Sequence, residues 1–214
     1  MAKIVVGVSG GPDSVALLSI LHKLNYNCVA AHCNFHLRGE ESDRDMVFVQ
    51  QLTSALNIPL LITHFKTEEY AETNHISIEM AARELRYGWF EKIRVEYASK
   101  AIAIAHHSDD VIETFFINLM RGSGLQGLTG IKPRNGYIIR PLLCLSRQDI
   151  MSFIKEEGLE YVVDSTNNEN DYVRNKIRNI VIPNLTDINA SAKKNILKSI
   201  SNLRQSELLQ HHRV

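Results

Sequence analysis

Short apolar segments alternate with longer segments of helical period along the first 120 residues. Residues 3–8 form a β-branched run, and residues 14–24 then place apolar side chains mostly on one helical face. The same alternation predicts further strands at 28–33, 59–63 and 100–105 and further helices at 40–56, 76–98 and 109–121. Such alternation predicts an α/β fold with a doubly wound parallel sheet, in which ligands bind beyond the carboxyl ends of the strands.

The pattern changes from Gly122 onward. It predicts a loop at 121–127, a short strand at 137–143, a capped helix at 146–157, a polar segment at 164–171 and a helix at 172–182 that ends before Pro183. The chain then becomes polar and basic. We therefore expect residues 1–183 to form one domain and residues 184–214 a helical extension, either a linker or the start of a further domain.

Composition narrows the function classes. The chain has 24 Lys and Arg against 24 Asp and Glu, so its formal net charge is zero. This balance argues against holding nucleic acid by bulk charge, although a local basic patch can still do so. No apolar stretch approaches the roughly 20 residues of a membrane span, and no signal peptide is visible. A cytoplasmic protein without a membrane partner is expected.

The three cysteines, Cys28, Cys33 and Cys144, are odd in number and include no C-x-x-C pair. This spacing disfavours a disulfide framework, a zinc site and a cysteine-ligated iron–sulfur cluster. Cys28 and Cys33 lie in an apolar run, so we expect buried structural thiols.

A glycine-rich loop joins the first predicted strand to the first helix, with the sequence Ser9, Gly10, Gly11, Pro12, Asp13 and Ser14. Glycines let backbone N–H groups approach an anion, and the following helix adds its positive dipole end. Asp13 would repel phosphates unless Mg²⁺ lies between them, so it is a candidate metal ligand. The Walker A lysine is missing. The alternative is an ordinary turn with a Ser or Asp N-cap.

A second group of polar residues follows the fourth predicted strand. Asp110 and Glu113 share one face of the predicted helix, where they could bind an ammonium group or a divalent cation, or accept a proton from an amine. The alternative is that they form a capping box, with Asp109 compensating the helix dipole. His106 and His107 are weak evidence for a metal. The pattern Gly122-x-Gly124-x-x-Gly127 follows a helix and is not a dinucleotide site.

Seven sequence blocks occur in a recognisable order: SGGPDS at 9–14, HCNFHLRG at 32–39, AARELRY at 81–87, HHSDDVIETFF at 106–116, RGSGLQGL at 121–128, RPLLCLSRQDI at 140–150 and DSTNNENDYVRNKIR at 164–178. Together they resemble the tRNA(Ile)-lysidine synthase family of PP-loop ATP pyrophosphatases, across roughly residues 3–185. The first block is common to the whole superfamily, whereas the last makes the resemblance specific.

The resemblance implies a fold of the adenine nucleotide alpha-hydrolase type and an ATP-dependent carbon–nitrogen ligase. In the family that it resembles, ATP adenylates the carbonyl oxygen at carbon 2 of the wobble cytidine of tRNA(Ile) with a CAU anticodon. The ε-amine of free L-lysine then displaces AMP, which gives lysidine. The implied cofactors are ATP and Mg²⁺, and the implied partners are tRNA(Ile) and lysine.

The resemblance also implies roles for individual residues. Residues 9–14 would hold the pyrophosphate, with Asp13 as a catalytic residue near Mg²⁺, and Asp110 and Glu113 would face the lysine ammonium and help to deprotonate it. The end of the second strand would contact adenosine through Ala31, His32 and Asn34. The candidates for tRNA or phosphate contact are Arg83, Arg86, Arg121, Arg174 and Arg178. The alternative for these arginines is surface pairing, as between Glu79 and Arg83.

Two other functions remain open. A PP-loop tRNA cytidine thiolase usually needs paired cysteines, which this chain lacks. A non-catalytic adenine-nucleotide-binding module would keep the glycines but would not need Asp13, Asp110 and Glu113 together.

Overall fold

The computed structural model describes residues 2–163 and 173–211. The chain folds into two compact units. The first unit contains Met1–Ala105, Arg134–Pro141 and Asp149–Val163, and the second contains His106–Pro133, Leu142–Gln148 and Asp164–Val214. Each unit is therefore assembled from separate stretches of sequence. The predicted domain boundary at residue 183 stays a prediction.

A six-stranded sheet forms the centre of the first unit, with the strand order β3-β2-β1-β4-β6-β5. The strands are β1 (Lys3–Gly7), β2 (Asn27–Asn34), β3 (Leu60–His64), β4 (Ala101–Ala103), β5 (Arg134–Asn135) and β6 (Ile138–Ile139). All neighbouring strands are parallel except β5 and β6. The predicted α/β fold with a doubly wound parallel sheet is confirmed.

Helices account for most of the remaining described chain. They are α1 (Pro12–Lys23), α2 (Glu40–Ala55), α3 (Thr67–Asn74), α4 (Ile78–Glu96), α5 (Ser108–Met120), α6 (Leu125–Leu128), α7 (Arg147–Glu156), α8 (Val173–Lys176), α9 (Ile182–Ile188) and α10 (Ala192–His211). None of the helices within residues 2–163 and 173–211 has both the length and the apolarity needed to cross a bilayer.

The core of the first unit explains why apolar and polar residues do not alternate along its strands. Val5, Val29 and Ile102, from three adjacent strands, pack with Phe90 and Ile93 of α4. Strands covered on both faces have no polar side to present, so they read as continuous apolar runs. Phe90 and Ile93 lie three residues apart, which puts both side chains on the same face of α4.

The second unit is helical, and its core joins distant parts of the sequence. Ile112 of α5 packs with Ile177 and Ile182, and Ile196 and Leu197 of α10 pack against this cluster. The expected helical C-terminal part is therefore present. Its helices pack on α5.

Pro183 does not end a helix, contrary to the sequence prediction. The chain passes from α8 through a π-helical segment, Ile177–Val181, into α9, which contains Pro183 in its first turn. Proline is tolerated there because the first-turn N–H groups need no partner within the helix. The prediction failed because it treated proline only as a helix breaker.

Several shorter elements also differ from the sequence predictions. Helices α3 and α6 and strand β5 were not predicted, and α6 lies partly within the predicted loop at 121–127. The predicted strand at 137–143 is reduced to β6, followed by a 3₁₀ turn at Pro141–Cys144. These elements are two to eight residues long, too short to establish a clear period. The predicted polar segment at 164–171 lies outside the described residues.

Close packing of α4 on β1 predicts opposite effects for two glycine-to-alanine changes. A Cβ on Gly7 would lie 2.9 Å from the ring of Phe90, whereas a Cβ on Gly88 in α4 would meet nothing within 4 Å. Gly7→Ala is expected to lower the free energy of unfolding by about 1–3 kcal/mol through overpacking. Gly88→Ala is expected to raise it by about 0.5–1 kcal/mol because alanine favours a helix. Denaturant unfolding measures both, and equal effects would contradict the packing argument.

Candidate active site

The glycine-rich loop lies at the carboxyl end of β1, the strand at which the strand order changes direction. Gly10 has a backbone φ of +96°, a conformation that residues other than glycine rarely adopt. A Cβ there would lie 2.7 Å from Cγ2 of Val162, whose N–H donates to the Gly10 carbonyl over 3.0 Å. Both the backbone angle and the close approach of residue 162 therefore require glycine.

The loop directs its backbone N–H groups at oxygen atoms. The Ser14 hydroxyl accepts from the N–H groups of Ser9 and Gly10 over 3.1 and 3.2 Å and donates to the Gly11 carbonyl over 2.9 Å. The Gly11 N–H donates to the Ser9 hydroxyl over 3.3 Å. Converging N–H groups at a helix start are the arrangement that binds phosphate oxygens. The local geometry suits the predicted pyrophosphate site.

Asp13 is the fifth residue of this loop and lies in the first turn of α1, which begins at Pro12. Within the described part of the chain, no group of three or more His, Cys, Asp or Glu side chains could hold a metal. Mg²⁺ in nucleotide sites commonly uses one or two carboxylates together with phosphate oxygens. A single carboxylate beside a phosphate loop fits that mode of binding, with Asp13 as the protein ligand.

The three predicted adenosine residues at the end of β2 are buried, and two of their side chains already have partners. Nδ1 of His32 lies 2.9 Å from the carbonyl oxygen of Val8, the residue before the phosphate loop. Burial lowers the pKa of His32, so it is neutral at physiological pH. The Asn34 amide donates to Asp43 over 3.0 Å. Ala31 accepts the Val8 N–H through its carbonyl over 3.0 Å. Adenosine contact by these residues stays a prediction.

Helix α5 begins at Ser108, with His107 as its N-cap. The capping box joins His107 to Asp110, whose Oδ2 accepts the His107 N–H over 2.9 Å. The predicted alternative, a capping box between Asp110 and Glu113, is wrong. Glu113 lies in the second turn, beyond the unpaired N–H groups of a helix start.

Glu113 instead forms a buried ion pair across the second unit. Its side chain is 0% exposed, and it accepts hydrogen bonds from Nε and Nη2 of Arg178 over 2.6 and 3.0 Å. Arg178 Nη2 also lies 3.8 Å from Asp110 Oδ1, and Arg174 Nε lies 3.9 Å from Glu113 Oε2. Three other predicted site residues, Asp110, Arg174 and Arg178, therefore lie around the buried Glu113 carboxylate.

Two opposing effects act on the Glu113 carboxyl. Burial raises its pKa, while the hydrogen bonds and the charge of Arg178 oppose that rise, and the net direction is upward. A carboxylate with a raised pKa holds an accepted proton more readily. This property suits a group that takes a proton from an ammonium ion. Arg178 belongs to the π-helical segment, a geometry often found at functional sites.

Asp109 is a third buried acid at the start of α5, and its partners were not predicted. Its Oδ2 accepts the Arg147 N–H over 2.8 Å, and its Oδ1 accepts a hydrogen bond from the Lys193 ammonium. Burial alone would raise the pKa of Asp109, but these two donors bring it below its usual value. Lys193 lies in the first turn of α10, where the helix dipole disfavours a cation. A lysine at the start of a predicted helix was the sequence feature that could have indicated a nearby acidic partner.

The other predicted arginines have different surroundings. The guanidinium of Arg83 lies 4.9 Å from the centre of the Tyr87 ring, and that of Arg86 lies 5.2 Å from the centre of the Phe35 ring. Arg121 is exposed at the end of α5. Their contact with tRNA or phosphate stays a prediction.

The cysteines are free thiols with unequal surroundings. Burial raises the pKa of Cys28 to about 11 and that of Cys33 to about 12, while Cys144 is exposed. Cys28 and Cys33 are therefore protonated at neutral pH and poor nucleophiles, because the thiolate is the reactive form.

Comparison with curated proteins finds relatives named tRNA(Ile)-lysidine synthase. The chain is 54% identical over 201 residues to that of Bacteroides thetaiotaomicron, 52% identical over 206 residues to that of Parabacteroides distasonis, and 47% identical over 201 residues to that of Porphyromonas gingivalis W83. The matches cover 94%, 96% and 94% of this chain. They cover 47%, 47% and 44% of the relatives, so the chain spans about half their length.

Solved structures with the same fold are more distant in sequence. The U34-tRNA thiolase NcsA from Methanococcus maripaludis, described with its [4Fe-4S] cluster, has a TM-score of 0.74 at 21% identity, covering 94% of this chain and 71% of that one. The NH₃-dependent NAD synthetase from Campylobacter jejuni has a TM-score of 0.54 at 14% identity, covering 98% and 86%. These identities support a shared fold alone. Residues 1–185 match the PP-loop domain, and the chain belongs to this family.

Proposed function

We propose that this chain is the catalytic part of a tRNA(Ile)-lysidine synthase, which ligates lysine to carbon 2 of the wobble cytidine of tRNA(Ile). The substrates are inferred from the relatives of that name, which reach 54% identity over 94% of the chain. The geometric observation that carries the lysine step is the buried Glu113 carboxylate, which already binds a cationic side chain. Because the substrates are ATP, lysine and tRNA, we place the reaction in the cytoplasm.

The first half-reaction is adenylation. The cytosine carbonyl oxygen attacks the α-phosphorus of ATP, and the bond to pyrophosphate breaks. Residues 9–14 would hold the leaving pyrophosphate through backbone N–H groups and the two serine hydroxyls. Mg²⁺ bound at Asp13 would supply the positive charge that offsets the phosphates. His32 would help indirectly, because its hydrogen bond to Val8 fixes the strand end from which the loop starts.

The second half-reaction joins lysine to the base. The ε-ammonium must lose a proton, the amine attacks carbon 2, and the bond from carbon 2 to the oxygen of the AMP group breaks. Asp110 and Glu113 would receive the ammonium. Since the Arg178 guanidinium occupies Glu113 in the structure, an incoming ammonium must share or replace that cation. The raised pKa of Glu113 suits it to accept the proton.

Thiolation of tRNA is the second function that the fold permits. The likeness to NcsA supports it, but at 21% identity that likeness concerns the fold. A thiolase needs reactive sulfur, and the thiols of buried Cys28 and half-buried Cys33 are held in their protonated form. The paired acids with bound arginines instead favour an amine substrate.

The direct test is pyrophosphate release, measured with ATP, lysine and tRNA(Ile) present and with each omitted in turn. Pyrophosphate release should require tRNA, and modified tRNA should form only when lysine is added. A sulfur-dependent product without lysine would support the thiolase. ATP binding without turnover would support the non-catalytic module.

The first prediction for this function concerns Asp13. Asp13→Asn should reduce tRNA-dependent pyrophosphate release by at least about 100-fold, the effect of losing one electrostatic stabiliser of the transition state. The thermal unfolding midpoint should change little. Asp187→Asn, which alters an exposed aspartate of α9, is the matched control and should keep full activity. Normal turnover by correctly folded Asp13→Asn would remove Asp13 from the mechanism.

A further prediction separates lysine use from adenylation. Glu113→Gln keeps the size of the side chain but loses its charge, so lysidine formation should fall by about 100-fold or more while ATP binding stays nearly normal. Glu79→Gln, an exposed change in α4, is the control. If Glu113→Gln instead lowers mainly the thermal stability and keeps the apparent lysine affinity, Glu113 has a structural role only.

The tRNA contacts can be tested by salt dependence. Each phosphate contact contributes roughly 0.7–0.9 to the slope of log affinity against log salt. Arg121 is exposed and Arg174 is 42% exposed, so the double change to alanine should lower that slope by about 1.4–1.8 without altering ATP binding. Lys92→Ala, on an exposed part of α4, controls for the general loss of positive charge. Equal slopes in double mutant and wild type would place the RNA surface elsewhere.

A further inference from the structure

Helix α10 is tied to the rest of the second unit along its length. Its Ile200 is 1% exposed, and Arg204 donates to the carbonyls of Thr129 and Ile131 over 3.0 and 2.6 Å. Glu207 pairs with Lys132 over 3.1 Å. These contacts fix the helix in place. Lys193 therefore contacts Asp109 from a helix whose position is fixed by other contacts.

The contact between Lys193 and Asp109 has a free-energy cost for Lys193 and a benefit for Asp109. A lysine in the first turn of a helix opposes the helix dipole, and ordering its long side chain costs conformational entropy. Lys193 is 44% exposed, whereas Asp109 is 10% exposed at the side chain. The buried partner gains most from the pair, because a buried carboxylate without a cation is strongly disfavoured.

We infer that Lys193 is a positioning residue: it holds Asp109 so that the first turns of α5 present Asp110 and Glu113 to the substrate ammonium. Asp109 and Asp110 are adjacent in the first turn of α5, and Asp110 caps that turn through the His107 N–H. Asp109 in turn accepts the Arg147 N–H. Movement of Asp109 would therefore shift the capping turn and both proposed lysine-binding carboxylates.

This role rests on the proposed function, and it also gives α10 a part in the site through Lys193. Lys193 carries the only contact in the described chain between α10 and Asp109 that involves opposite charges. The positive charge of Lys193 also neutralises the Asp109 carboxylate, so that Asp109 does not attract the substrate ammonium. A bare carboxylate there would compete with Asp110 and Glu113 for the ammonium of the substrate.

The test compares Lys193→Met with Lys194→Met in the whole chain. Lys194 is the next residue, carries the same charge in the same helical turn and is exposed, so it is a matched control. Lys193→Met should raise the KM for lysine by roughly ten- to one-hundredfold, the scale expected from misplacing substrate-binding groups, and leave the adenylation rate within about twofold. Lys193→Arg should restore most of the lysine affinity, and Lys194→Met should change neither quantity.

An equal fall in both half-reactions, or a loss of thermal stability alone, would show that Lys193 is only structural. A double-mutant cycle with Asp109→Asn adds a second criterion: the KM effects of the two changes should be strongly non-additive, and additive effects would overturn the inference.

Amide hydrogen exchange tests the positioning even if the proposed function fails. Lys193→Met should speed exchange of the His107 and Arg147 N–H groups, which donate to Asp110 and Asp109, while Lys194→Met should not. Unchanged protection in Lys193→Met would refute the positioning role. If wild type forms no lysine-dependent product but the exchange difference is present, the proposed function fails and the positioning of α5 stands.

Discussion

A carboxylate taken out of water needs a cation, and the start of α5 contains three such carboxylates. Asp109, Asp110 and Glu113 are all buried residues. Desolvation costs several kcal/mol per ion, so the second unit is stable only if cations reach this turn. Arg178 and Lys193 provide them from 65 and 84 residues away in sequence. The packing of the C-terminal helices on α5 and the burial of its acids therefore depend on each other.

The elements of the first unit could largely be predicted from sequence because their signals are local. The predicted strand at 28–33 is one residue shorter than β2 at each end, and the predicted helix at 40–56 begins with α2 and ends one residue after it. The glycines of the phosphate loop likewise follow from backbone geometry alone. The part of the candidate site that could not be predicted depends on pairing. The sequence shows that Glu113 and Arg178 carry opposite charges, but it does not show that they are partners.

Side-chain direction was the other property that sequence could not supply. His32 and Asn34 follow the pattern of ligand-binding residues at a strand end, yet their side chains bond to Val8 and Asp43. Buried polar groups must be satisfied, and they take whichever partner the surrounding backbone brings near. Pro183 shows the same dependence on context, since its effect is decided by its place in the first turn of α9.

The balance of charge limits how this chain can recognise a polyanion. Several of its basic side chains are used inside the second unit: Arg178 and Lys193 neutralise buried acids, and Arg204 bonds to backbone carbonyls. With a net charge of zero, the remaining exposed cations, among them Arg121, Lys194 and Lys198, create only a weak field at long range. The proposed recognition of tRNA would therefore depend on contacts at short distance, where position matters more than total charge. Arg178 and Lys193 are already paired with the acids of α5, so they stabilise the carboxylates of a small local site and add little to the long-range attraction of a large polyanion.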